Sequence, residues 1–327
     1  MATVDSETSG VADRAATVAL PETERDRERR RIAVLAVPFL VLAAFGAFVP
    51  LAEMLRMSTS TSSFAIEGFT LSAYRELFAS ILAFVPVVGE AVFPETDPVY
   101  GSVFWNSLWF GAITTVVSVA LGVGIAHALE KYDLPYEGTL VTLISFPISL
   151  PGIVAAFMMI VLFGTTGLLS NAFAFLIGVD PNAVALTGQP AGSPLAVLGL
   201  FFGYLYSMIP RATFLLRGTY AEVNTDAEEA ARSLGASPWE TFRYVTLPQI
   251  RPGIVGALIL TFRTALAIFG TVLVLKALSV VTFRFDQEIQ VGFDLPMASA
   301  LAAVFFAFTL AFTFLGLRYT SAEVAET

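Results

Sequence analysis

The chain has no cysteine and a single histidine, His127. Disulfides and thiolate metal sites are therefore excluded, and one imidazole does not make a histidine metal cluster. Lysine is confined to Lys131 and Lys276, and charged residues make up only 14% of 327 positions, with a net charge of −9. A soluble domain carries about 25% charged residues. An acidic chain with no basic stripe is a poor nucleic-acid binder, so no nucleic-acid partner is expected. The acidic, lysine-poor balance suits a salt-rich cytoplasm. A phosphate-binding loop needs Gly-Lys-Ser/Thr after a glycine-rich turn, but Lys131 precedes Tyr132 and Lys276 precedes Ala277. The chain is thus not an ATPase. Gly-x-Ser-x-Gly and His-Glu-x-x-His are also missing, so no catalytic residue, metal or cofactor is assigned to it. There is no internal repeat.

Apolar sequence dominates, at 56% of residues. A membrane-crossing helix needs about 20 apolar residues, and six such runs are present. They cover Ile32–Ala52, Phe104–Leu129, Thr139–Phe163, Leu195–Leu216, Gly253–Leu278 and Pro296–Leu317. The fold class is an all-α membrane protein with six transmembrane helices. Residues 1–31 read as a disordered, charged tail, with a short mixed-charge helix possible from Pro21 to Arg31. This is not a signal peptide, because the apolar run that follows is too long and lacks a small-residue cleavage site. Residues 32–327 form the membrane domain.

Arginine placement orients the spans. Arg25, Arg27, Arg29, Arg30 and Arg31 precede the first span and place the N-terminus in the cytoplasm. Six crossings return the C-terminus there. The 217–252 loop, with Arg217, Arg232, Arg243 and Arg251, falls on the same side as Lys131. Arg56, Arg75, Arg284 and Lys276 fall outside. The outer segments are long; Leu71–Val88 reads as an interfacial helix and Leu168–Ile177 as too short to span.

The third span contains Pro147, Pro151 and Gly152. Proline removes a donor and clashes with the preceding turn, and freed mid-membrane carbonyls are tolerated only against protein or a watery cavity. The segment is either a kinked, pathway-lining hinge or an ordinary packed kink. Arg263 lies inside the fifth span, where a charge normally faces protein or water. Attraction of an anionic solute competes there with structural pairing or snorkelling, and the latter is preferred. Arg211, after Pro210, is expected to end the fourth span near headgroups or the polar loop. His127 suits the helix end near Glu130. Gly122-x-Gly124 suggests close helix packing.

The polar loop is the most informative segment. Thr225 with Glu228 has a capping-box pattern, and Gly235 supplies a left-handed stop. Ser237-Pro238-Trp239-Glu240 opens a second helix, which Pro248 is expected to close. Ala227, Ala230, Ala231 and Leu234 make a shallow face beside Glu229. A solvated loop whose alanines merely favour helix is the bland alternative.

Glu229-Ala230-Ala231, three residues, Gly235, then Val245-x-Leu247-Pro248 resembles the EAA loop of ABC importer permease subunits, the binding-protein-dependent family, over about residues 100–317. Val245 stands where isoleucine is commoner. The resemblance implies that Glu229, Ala230, Ala231, Gly235, Leu247 and Pro248 form a cytoplasmic coupling loop on a separate ABC ATPase dimer, which binds the ATP and Mg. It implies a second permease, identical or related, and an extracytoplasmic solute-binding protein. The third-span pattern is most similar to the subgroup handling polyamines, ferric ion, thiamine, sulfate, molybdate or phosphonates. Several relatives carry an acid before Phe-Gly in the fifth span, where this chain has Ile268. The expected setting is the plasma or inner membrane. An ATP-independent secondary transporter or channel is the alternative, and it would need intramembrane acids or a polar filter. A membrane-anchored assembly protein is a third class.

Overall fold

The structure is a computed structural model, and it describes residues 24–63, 65–85, 92 and 96–326. It falls into two units, Met1–Glu53 and Met54–Thr327. In the first, the described residues belong to one helix, α1 (Glu24–Met57), which runs through Pro38 and Pro50. Residues 1–23 of the expected tail lie outside the described residues. From Glu24 the mixed-charge run is helical, and no helix-breaking residue separates it from the apolar stretch that follows.

The second unit begins with α2 (Ser72–Ala83), then α3 (Val99–Lys131). Leu77 of α2 is buried with Tyr100, Val103, Val281 and Leu301. The helix read as interfacial packs one face, Ala73, Leu77 and Ser80, onto the bundle. Next come α4 (Glu137–Ser145), α5 (Gly152–Phe163), α6 (Leu168–Ile177) and α7 (Pro194–Tyr220). The polar segment forms α8 (Thr225–Ser233) and α9 (Pro238–Thr241). The chain closes with α10 (Leu247–Ala267), α11 (Gly270–Leu275), α12 (Val281–Gln287) and α13 (Leu295–Glu326).

Six stretches among the described residues are long and apolar enough to cross a membrane: Arg31–Met57, Val99–Lys131, Gly152–Ile177, Pro194–Tyr220, Pro238–Ala267 and Leu295–Arg318. Four overlie the expected runs with longer ends, and the fifth starts earlier than expected, at Pro238, and stops at Ala267 rather than Leu278. The third differs. By length and composition it joins α5 to α6, yet the backbone amides of Leu186 and Thr187 both donate to the Phe163 carbonyl. The chain therefore leaves the end of α5 and returns to it, so α6 belongs to a closed excursion.

α3 and α7 pack closely. A Cβ on Gly122 would meet the Ala212 Cβ at 3.0 Å and the Thr213 nitrogen at 3.1 Å, while Gly124 faces open space. Small residues at one of the two expected positions thus allow the approach. Toward the 221–246 end the core gathers Ala126, Ala212, Leu216, Tyr220, Ile250 and Ala257.

Candidate functional site

The polar segment is built from local capping and pinned by distant side chains. Asn224, one residue earlier than expected, is the N-cap of α8. Its Oδ1 accepts from the amides of Asp226 and Ala227 at 3.0 and 3.3 Å. Thr225 is the first helical residue, and Glu228 takes no part in a capping box. Gly235 has φ +92°. Its amide donates to the Arg232 carbonyl, and the Ala236 amide donates to that of Ala231. That pairing is a Schellman stop. The second cap forms as read: Ser237 Oγ accepts from the Glu240 amide, and Glu240 Oε2 accepts from the Ser237 amide at 2.8 Å.

Pro248 does not close this helix. A π turn over Phe242–Thr246 leads directly into α10. The wider i→i+5 turn admits an extra residue just before a proline that has no donor to give. Leu247 packs against the buried cluster that holds Leu216 and Ile250.

Glu228 is the anchor that sequence patterning missed. Its side chain is buried, Lys131 Nζ lies 2.7 Å from Oε2, and Thr246 Oγ1 donates to Oε1. Burial pushes this carboxyl up, but the bonds from Lys131 and Thr246 and the charges of Lys131 and Arg232 outweigh it. The net pKa falls below the usual carboxylate range. Nearby, Arg217 pairs with Glu130 and lies 3.7 Å from Glu137. His127, in the last turns of α3, stands against Phe242, ring centroids 4.8 Å apart, with Tyr220 and Tyr132 beside it. Its Nδ1 is buried and unpartnered.

Among the polar residues that this scaffold leaves outside stand three large apolar side chains. Leu234 is 89% exposed, Tyr244 76% and Trp239 68%. Glu229, Ala230 and Gly235 are exposed with them, and Ala231 is half-buried.

A second constellation lies within the bundle. The expected kink at Pro147 and Pro151 is a full break: α4 ends at Ser145, Phe146–Ser149 is a 3-10 turn, and Leu150 and Pro151 are extended before α5 starts at Gly152. The fifth span, expected as one helix to Leu278, also breaks, at Ile268–Phe269. The two breaks meet. Thr271 Oγ1 donates to the Gly152 carbonyl at 3.2 Å, and Thr282 Oγ1 donates to the freed Ile268 carbonyl at 3.1 Å. A Cβ on Gly270 would come within 3.0 Å of the Ile153 nitrogen. Only the Phe269-Gly270 pair could have signalled the second break.

Arg211 does not end α7, which carries Pro210 in its interior and continues to Tyr220. Arg211 instead lines a cavity of about 460 Å³ with Arg263. The reading preferred for Arg263 is pairing or snorkelling; no carboxylate among the described residues forms a salt bridge with it.

Six apolar helices, two interrupted spans and one folded polar segment define a polytopic α-helical membrane protein. The chain belongs to the family described as binding-protein-dependent transport system inner membrane components, whose profile matches residues 118–321. It is 30% identical over 171 residues to a Synechococcus elongatus protein named sulfate transport system permease protein CysW, covering 52% of this chain and 55% of that one. The chain thus spans about half the length of that relative. With the Escherichia coli sulfate transport system permease protein CysT it shares 26% identity over 279 residues, covering 79% and 94% respectively. The fold matches a chain in the crystal structure of a bacterial alginate ABC transporter in complex with an alginate pentasaccharide-bound periplasmic protein. There the TM-score is 0.73 at 15% identity, over 94% of this chain and 99% of that one.

Proposed function

We propose that this chain is the permease subunit of an ATP-driven ABC importer, with residues 217–252 as a cytoplasmic coupling loop on a separate ATPase dimer. Both termini lie in the cytoplasm in this reading, and residues 32–327 form the membrane domain. A second permease completes the pathway, and an extracytoplasmic binding protein delivers solute. The solute is a small polar or charged species; the relatives named for sulfate handle one member of that class.

One observation carries the proposal. The loop is rigidly capped and pinned to the bundle by a buried ion pair, yet it turns Leu234, Trp239 and Tyr244 outward. Exposed large apolar groups on a braced polar segment mark a protein contact. Glu229, Ala230, Ala231 and Gly235 sit on that contact, and Leu247 and Pro248 transmit its motion into α10. The arginine bias of the loops supports the orientation. ATP would drive transport only by binding one conformation of the assembly better than the other.

Affinity purification from native-like membranes tests the reading. A P-loop ATPase is expected to accompany the wild-type chain. Glu229→Lys or Gly235→Asp is expected to abolish ATP-driven solute uptake while membrane insertion persists. Uptake that proceeds normally in both variants would sink the coupling assignment, and a lone homomer without an ATPase would favour an ATP-independent channel or carrier.

A further inference from the structure

Two cavities join where the broken helices meet. The larger, about 460 Å³, is lined by Arg211, Thr261 and Arg263 among apolar neighbours. A smaller one of about 240 Å³ shares Arg211 and Thr264 with it and reaches both breaks, at Gly152 and at Ile268–Gly270. The two adjoin through these shared residues, and among the described residues the only charges on their walls are two guanidinium groups.

Neither guanidinium is neutralised by a carboxylate among the described residues. Among the described residues Arg211 and Arg263 have no salt bridge, and no carboxylate lines either cavity. Arg211 lies nine residues, roughly 14 Å of helix, before the end of α7. Arg263 lies four residues before the break after Ala267. A guanidinium so far inside an apolar helix is costly unless it faces water, protein or a counter-ion.

Thr261 lines the larger cavity, but it is only 3% exposed and its hydroxyl is buried inside the wall without a hydrogen-bond partner. Thr264 spends its own proton on the Leu260 carbonyl at 2.9 Å. At the smaller cavity α5 begins at Gly152 with no side-chain cap, since its N-cap is Pro151. The positive end of that helix adds to the field.

We infer that this site is an anion-selective station, with Arg211 and Arg263 holding a small oxyanion-bearing solute. Guanidinium forks match sulfate, phosphonate and carboxylate oxygens. A polyamine, thiamine or ferric ion finds no counter-charge there and meets two positive groups. The consequence for transport rests on the permease reading above; the electrostatic sign of the site does not.

The absence of cysteine makes the site easy to probe. Thr264→Cys in the full chain, purified with its accompanying subunits, is reacted with methanethiosulfonate reagents of opposite charge, the ethylsulfonate and the ethyltrimethylammonium. Their rate ratio is compared with that on a free thiol. The anionic reagent is expected to be favoured about tenfold by two nearby positive charges. Arg211→Gln and Arg263→Gln should each lower the preference several-fold, and Arg263→Lys should keep most of it. Millimolar sulfate or methylphosphonate should slow labelling, whereas spermidine should not. Ser207→Cys, on the same wall, serves if the first variant does not assemble.

A ratio equal to that of the free thiol, or one unchanged by both glutamine variants, overturns the inference. So does protection by spermidine alone, or labelling by neither reagent. Loss of the anion preference only when lipid is added back would assign the arginines to headgroup phosphate and overturn the solute reading. ATP-driven uptake measured on the same preparation separates the two claims. Anion preference without ATP-driven uptake leaves the station and removes the importer. ATP-driven spermidine uptake without electrostatic bias does the reverse.

Discussion

Lys131 Nζ and Glu228 Oε2 lie 2.7 Å apart although 97 positions separate them in the chain. The pair ties the last residue of α3 to the middle of α8, with side chains 10% and 7% exposed. Thr246 Oγ1 occupies the other carboxylate oxygen, so the π turn that enters α10 is fastened to the same point. Motion of the polar segment therefore loads α3 and α10 together.

Breaking that pair from one side should loosen the segment. Glu228→Ala or Lys131→Met leaves a buried charge without its partner, a loss of up to about 3 kcal/mol. Limited proteolysis should show faster cleavage between residues 221 and 246 in either variant. Unchanged protection in both would remove the pair from its anchoring role.

The same contact should depend on pH. The Glu228 carboxyl is held below its ordinary value in the folded chain, whereas an unfolded glutamate titrates near 4.3. Its contribution is thus fully present above about pH 4.3 and is lost as pH falls through the lower folded value. Protease protection of the segment should be flat from neutral pH to about 5 and drop below 4. Glu228→Gln should lack that acid step.

Gly235 should be replaceable only at a conformational cost. Its φ of +92° lies where side chains are disfavoured, while a Cβ there would meet nothing within 4 Å. The penalty is therefore backbone strain, about 1–2 kcal/mol for Gly235→Ala and less for Gly235→Asn. Thermal unfolding of the purified chain should rank wild type above asparagine and asparagine above alanine. An alanine variant as stable as wild type would mean the Schellman stop relaxes freely.

The two breaks make an ordered pair of tests. A Cβ on Gly152 would meet Thr271 Oγ1 at 3.2 Å, a side-chain atom that can give way. On Gly270 it would press the Ile153 Cγ1 at 2.9 Å and the Ile153 nitrogen at 3.0 Å. Overpacking of this kind costs about 1–3 kcal/mol. Gly270→Ala should therefore lower the melting temperature more than Gly152→Ala. Equal shifts would show that the breaks are not in rigid contact.

Much of this molecule was legible as sequence. The apolar runs give the number of candidate spanning stretches and locate four of them, because lipid demands about 20 apolar residues with every backbone group satisfied within the helix. The second cap was also readable, since Ser237 and Glu240 meet within a single turn. Gly235 marked its own stop for the same local reason. Where competing local signals exist, reading ahead fails: Thr225 and Asn224 are both capping residues, and only the folded chain chooses Asn224.

The sequence by itself determined the number of apolar runs, the Gly235 stop and the Ser237–Glu240 cap, because these follow from hydrogen bonds and hydrophobic length within a few residues. Only the tertiary structure decided that Glu228 would face Lys131 and that Pro248 would be absorbed by a π turn. It also brought the break at Pro147–Pro151 to that at Ile268–Phe269, and set Arg211 and Arg263 on one cavity. Those partners come from different helices, and no local rule fixes which faces of packed helices meet.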